Sequence, residues 1–176
     1  MSDQERWQVI WDEVGEWQTK NFPDATIEDT IDGMLEELGE LCHATLKGRQ
    51  GIRGMDDQEK VLAARKDAVG DMMLYLLHYM RLSGEDLDLD FKEHGLKDST
   101  TEVHSHLADN IASYVHFTSM CDYVISNLNG YSIRFLDTTL LDIVEETWAE
   151  VKQRDWQKNP ESGTSVGELK NYTGDK

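Results

Sequence analysis

Apolar residues recur along the chain at three- and four-residue intervals, and the two-residue alternation of half-buried strands is almost absent. Trp7, Ile10, Trp11, Val14 and Trp17 trace a first amphipathic helix, which the Asn21-Phe22-Pro23 turn stops. Met34, Leu35, Leu38, Leu41, Cys42 and Thr45 line one face of a second helix. The spacing ends it near Gly48, within a glycine- and arginine-rich loop over 47–54. A third helix is predicted over 57–82, stopped by Ser83-Gly84. Its stretch 72–80 is apolar on almost every side and must be covered all round, either by neighbouring helices or by a second copy. Residues 85–100 are acidic and irregular. Val103, Leu107, Ile111, Tyr114, Val115, Thr118 and Cys121 then predict a fourth helix ending at 127–130. Leu136, Leu140, Val144, Trp148 and Val151 predict a fifth, reaching about Trp156. The expected fold is an all-α bundle in one domain over 1–160, followed by a polar, flexible tail over 161–176.

Composition narrows what such a bundle can do. Thirty-five acidic against 17 basic residues leave a net charge of −18. That field repels phosphate backbones and anionic lipid, so neither a nucleic acid polymer nor a membrane is an expected partner. An anionic small molecule needs a local cation to reverse the sign. Cys42 and Cys121 form no disulfide framework and read as ordinary thiols of a reducing compartment. The first residues, acidic and amphipathic, lack the basic start of a signal peptide, and a cytoplasmic protein is expected.

Position separates the functional carboxylates from the solvated ones. On a helical wheel Glu37 borders the apolar stripe of the second helix, Glu40 lies one step round, and Glu36 faces further away. Glu37 and Glu40 are surface neighbours at i, i+3, and Asp67 and Asp71 lie one turn apart on the third helix. Tyr75 and His78 continue the face of Asp67 and Asp71. Two such charges 4 Å apart repel by about 4 kcal/mol at an effective dielectric of 20, so facing pairs need protons or cations. An oxygen-only ligand set suits Mg²⁺, with Mn²⁺ as a substitute. The residues by themselves fit either a magnesium site in a helical bundle or two solvated faces.

The string Leu35-Glu36-Glu37-Leu38-Gly39-Glu40-Leu41, with Lys47-Gly48-Arg49-Gln50-Gly51-Ile52-Arg53 after it, resembles the MazG-like nucleotide pyrophosphohydrolases. So do Lys66-Asp67-Ala68-Val69-Gly70-Asp71 and the closing Arg154-Asp155-Trp156-Gln157-Lys158-Asn159-Pro160. The resemblance covers residues 4–83 and about 134–160, and it leaves about 85–130 as an insertion in a four-helix core. It implies hydrolysis of a nucleoside triphosphate to the monophosphate and pyrophosphate. Glu37, Glu40 and Asp71 are the implied magnesium ligands. The family's second pair begins with glutamate where this chain has Ala68, and Asp67 is the expected fourth ligand. Glu36 or Glu37 is expected to orient and deprotonate the attacking water, with Glu40 completing the catalytic carboxylates.

Lys47, Arg49 and Arg53, and also Lys152, Arg154 and Lys158, are rare positive clusters in an acidic chain. They are the candidate phosphate contacts, although helix C-terminal cations also complement the macrodipole. Trp17, Phe22 and Trp156 are candidates to stack on a base, and Asn21 to hydrogen-bond its edge. Trp7, Trp11 and Trp148 sit on apolar stripes and read as core. The apolar third helix makes a homodimer the expected assembly. The alternative to an enzyme is a non-catalytic nucleotide-binding or acidic interaction module.

Overall fold

A computed structural model of the chain describes residues 1–87, 99–113 and 120–164. Among these the secondary structure is entirely helical, in six helices: α1 (Asp3–Asn21), α2 (Ile27–Gln50), α3 (Gln58–Ser83), α4 (Thr100–Ala112), α5 (Met120–Phe135) and α6 (Leu140–Val151). Their starts are written locally. Ser2 with Glu5, and Thr26 with Asp29, form reciprocal capping boxes that satisfy the first free amides of α1 and α2. Asp57, Ser99 and Thr139 cap α3, α4 and α6. At the other end, Gly51 (φ 61°) and Gly84 (φ 77°) take the left-handed conformation that closes α2 and α3.

The pattern misplaces three boundaries. First, α2 runs through Gly48 to Gln50, so much of the expected 47–54 loop is helix. Gly48 is kept there because it lies against α3, where an added Cβ would stand 2.8 Å from Val61 Cγ1. Second, the single helix expected over 103–130 is two, and five helices become six. α4 ends at Ala112 and α5 continues past the Asn127–Gly130 turn signal to Phe135. Burial of Leu128 and Tyr131 overrides that signal. The predicted Tyr114, Val115 and Thr118 positions lie outside the described residues. Third, the last helix is shorter at both ends: Leu136 is buried in the loop before it, and the chain turns after Val151. Residues up to Thr164 then fold back, with Gly163 N donating to Asn159 O at 2.7 Å and Asp155 N to Gly163 O at 2.6 Å.

α2 and α3 form an antiparallel pair in which Gly48 meets Val61 and Gly33 meets Tyr75. α3 is then enclosed within one chain. Gln18 of α1 bonds its backbone at Leu74, Gly33 of α2 packs on Tyr75, Tyr131 of α5 accepts from Arg65, and Thr147 of α6 sits on Gly70. Met72, Met73, Leu76 and Leu77 are fully buried as a result. The apolar stretch that suggested a dimer is therefore covered by the chain's own helices. None of the helices among the described residues is long and apolar enough to cross a membrane.

Two glycines in these helices have opposite roles. A Cβ at Gly70 would overlap the stiff, β-branched Thr147, whereas one at Gly39 would meet nothing within 4 Å. Alanine gains about 0.5–1 kcal/mol of helix propensity at either site, but overpacking costs about 1–3 kcal/mol. Gly39→Ala is expected to raise the melting temperature by about 2 °C, and Gly70→Ala to lower it by about 4 °C. Thermal denaturation followed by circular dichroism checks both signs.

Candidate active site

The C-terminal end of α1 organises the site by gripping a segment some 135 residues away. Asn21 Oδ1 accepts from Trp156 N at 2.7 Å, its Nδ2 donates to Trp17 O at 2.9 Å, and its carbonyl accepts from Gln157 Nε2 at 2.7 Å. Trp17 Nε1 donates to Arg154 O at 2.9 Å, and Lys20 pairs with Asp155 at 3.1 Å. These bonds hold residues 154–157 beside α3 and leave a cleft of about 600 Å³ between them and α2.

Seven of the sequence candidates line this one cleft: Glu37, Asp71, Arg154, Trp17, Asn21, Phe22 and Trp156. Along α3 the cleft runs from Asp71 past Leu74 and Tyr75 to His78, about 10 Å at the helical rise. Glu37, Asp71 and Arg154 share its lining with Trp17, Phe22 and Trp156, and Asp24 and Asp29 line it as well. Trp17 and Phe22 meet edge to face, with ring centroids 5.6 Å apart. Trp7 and Trp148 are core, as their stripes imply, and Trp11 lies partly buried beneath the Arg81 guanidinium.

The carboxylates of α2 and α3 are electrostatically loaded. Glu37 is pushed up to about 8 by burial and by the charges of Asp71, Glu40, Glu36 and Asp67. Asp71 is pushed up to about 6 by burial and by Asp67, Glu40 and Glu150, with Arg154 opposing. Asp67 stands at the exposed rim and is raised by desolvation and by Glu150, again against Arg154. No hydrogen bond or ion pair to a described residue engages the side chains of Glu37, Glu40, Asp67 or Asp71. Ala68 is buried in the core, so on this stretch of α3 Asp67, and not position 68, stands beside Asp71. Among the described residues no three acidic, imidazole or thiol groups converge as a ready-made metal cage. The donor chemistry nevertheless fits a hard divalent cation: oxygen ligands alone, several negative charges, and proton affinities raised for want of compensation.

Other candidates are not brought to the cleft. Lys47 donates to Gln50 Oε1 at 3.1 Å, Arg49 lies towards His104, and Arg53 occupies a left-handed turn at φ 58°. None of the three lines the cleft, because the extra turn of α2 carries them away along the helix axis. Lys152 pairs with Glu13 at 3.5 Å and Lys158 with Asp155 at 3.2 Å. Of the six expected phosphate contacts, Arg154 is the one that faces the carboxylates. Glu36 and Glu40 are exposed and act on Glu37 through their charge. Asn21 lines the cleft but commits both ends of its amide to the chain, so it is a clamp, not a reader of base edges.

Two contributors escape the sequence reading. Glu150 on α6 adds a further negative charge, felt by both aspartates. Gln18, buried beside Asn21, lines the cleft as well. Its signal is a polar residue on the buried stripe of Trp7, Ile10 and Val14.

Fold and site together define an all-α protein with an acidic, aromatic-walled cleft. Compared with family models, with curated proteins and with solved structures, the chain matches none.

Proposed function

We propose that the protein is a magnesium-dependent nucleoside triphosphate pyrophosphohydrolase, cleaving its substrate to the monophosphate and pyrophosphate. The observation that carries this reading is the meeting of Glu37, Asp71 and Arg154 with Trp17, Phe22 and Trp156 in one cleft. The likeness of the α2 and α3 motifs to the MazG-like enzymes supports it. A deoxynucleotide or an aberrant nucleotide is the proposed substrate class, and the two free thiols, Cys42 and Cys121, accord with a reducing, cytoplasmic setting.

Glu37, Glu40 and Asp71, with Asp67 at the rim, are the residues that would hold Mg²⁺ or Mn²⁺. When bound, such a cation neutralises phosphate charge and polarises the phosphoryl oxygens. The chain's own contributions follow from its geometry. Arg154 places a fixed positive charge where the triphosphate must enter a field of carboxylates. Of the two carboxylates expected to orient the water, Glu37 lines the cleft and Glu36 does not, so the proton acceptor is Glu37. Trp17, Phe22 and Trp156 offer apolar ring surface to the base in the same cleft. A homodimer stays part of the proposal, although α3 no longer requires one.

Ion-exchange analysis of products tests the reading. With each common ribo- and deoxynucleoside triphosphate, monophosphate and pyrophosphate are expected in Mg²⁺ and not in chelator. Turnover should fall at least a hundredfold in Glu40→Ala. Release of orthophosphate, or no turnover of any nucleotide in Mg²⁺ or Mn²⁺, contradicts it, and the second outcome favours a binding module.

A further inference from the structure

The seam between α2 and α3 sets a ladder along the cleft. Glu37 lies by Asp71, Gly33 against Tyr75 and Asp29 by His78, with one helical turn from rung to rung. The first rung belongs to the proposed cation site. The third is not used by it, although Asp29 and His78 both line the cleft. His78 is 8 % exposed, and among the described residues nothing hydrogen-bonds its ring. Its nitrogens are nevertheless reachable. The side-chain atoms sealed in without a partner, among the described residues, are Gln18 Oε1, Arg81 Nε and His104 Nε2. Burial and the Arg81 charge keep the His78 imidazole neutral, against the pull of Asp29. Asp29 spends one oxygen on the start of α2, where Oδ2 accepts from Thr26 N and Thr26 Oγ1, each at 2.8 Å. Its Oδ1 takes no bond from a described residue.

We infer that Asp29 and His78 are the specificity-determining pair that reads the base, and that they select a nucleobase carrying an exocyclic amine. The assignment rests on the proposal that the cleft takes a nucleotide, and it deepens that reading by naming the class of base. Position gives the first argument. His78 lies two turns of α3, about 10 Å, beyond Asp71, so phosphates held at the first rung bring the far part of the nucleotide to the third. Phe22, 40 % exposed and edge-on to Trp17, offers ring surface to a planar base in the same cleft. Chemistry gives the second argument. An ionised carboxylate only accepts, and a further carboxylate, Asp24, lines the cleft too. An exocyclic amine has two N–H groups to give to such acceptors, whereas an oxo group in its place turns lone pairs towards them. A neutral imidazole carries one donor and one acceptor. His78 can therefore meet the ring nitrogen beside the amine whether it is bare, as in adenine and cytosine, or protonated, as in guanine. Sites built to pair with a polar group of the substrate strongly reject the analogue that lacks it.

The test measures binding, not hydrolysis, and compares each amino base with a counterpart that lacks the amine. The full chain in Mg²⁺ is titrated by calorimetry with the monophosphates of cytidine against uridine, adenosine against inosine, and guanosine against inosine. Wild type is expected to bind the amino member of at least one pair about tenfold to a hundredfold tighter. Asp29→Asn keeps an oxygen for Thr26 but presents N–H donors to the cleft in place of the free carboxylate oxygen. The preference should then vanish or pass to the other base, which loss of a helix cap alone would not produce. His78→Leu should narrow the preference as well. If neither variant folds, the wild-type pairs alone decide. Equal binding within every pair overturns the inference, as does a wild-type preference for the bases without the amine. So does a preference that Asp29→Asn leaves unchanged, and so does failure of every nucleotide to bind. Discriminating binding without turnover overturns the hydrolase reading and leaves Asp29 and His78 assigned; turnover without discrimination does the reverse.

Discussion

Glu37→Gln is expected to make the protein more stable and nearly inactive at once. In chelator, wild-type Glu37 is half-buried among Asp71, Glu40, Glu36 and Asp67, and it keeps its proton up to about 8. Near neutral pH the folded chain must hold a proton that the unfolded chain releases. The amide removes that cost. After discounting for solvent screening the gain is about 1–2 kcal/mol, or a melting temperature higher by about 2–6 °C. Turnover in Mg²⁺ should fall about a thousandfold, because the amide neither accepts a proton from water nor brings charge to a cation. A Glu37→Gln protein that loses stability in chelator contradicts the electrostatic account of the cleft, whatever its activity.

The second large effect is a reversal of pH dependence by magnesium. Glu37, at about 8, and Asp71, at about 6, hold their protons to higher pH in the folded state than in the unfolded one. Their contribution to stability is therefore full at low pH and is lost as pH rises through those values. His104, lowered to about 4 by burial and by Arg65 and Arg49, acts oppositely, and its contribution is complete by about pH 6.5, the ordinary histidine value. Asp155, held near 2 by Lys20 and Lys158, has finished titrating below both. The clean window is pH 6.5–8, where Glu37 dominates. In chelator the melting temperature should fall across it by about 2–4 °C. With Mg²⁺ at a hundred times its dissociation constant, binding adds about 2.7 kcal/mol. The chelator curve should then be exceeded at pH 8 by about 5–10 °C, and the slope should change sign, since cation and proton compete for the same oxygens. Parallel curves with and without Mg²⁺ would exclude these carboxylates as its ligands.

What the sequence makes legible follows from periodicity. Glu37 and Asp71 are readable because a helix that buries Leu38, Leu41, Val69 and Met72 must bring the carboxylates at the edge of its stripe to the seam. Arg49 is misread for a complementary reason. A loop can fold back, but α2 continues, and on a straight helix Arg49 stands about 18 Å along the axis from Glu37. Burial of Leu128 and Tyr131 outweighs the Asn-Gly signal that would otherwise end α5 early. Asn21 illustrates a different limit. Its place before Phe22-Pro23 suggests both a turn and a base contact, and its bond to Trp156 depends on a tertiary approach that no local pattern encodes. Gln18 is legible in principle as a polar residue on a buried stripe. Which of its two amide ends is left unpartnered depends on Leu74 of another helix.

Electron paramagnetic resonance of Mn²⁺ shows whether the carboxylates of α2 and α3 form one divalent cation site, as proposed. Bound Mn²⁺ loses the sharp signal of the free ion, so titration counts it without knowledge of the substrate. The signal is expected to be suppressed by wild-type protein, restored by excess Mg²⁺, and largely unsuppressed with Asp71→Asn. A free-ion signal equal to that of buffer throughout, with and without nucleoside triphosphate, contradicts the claim.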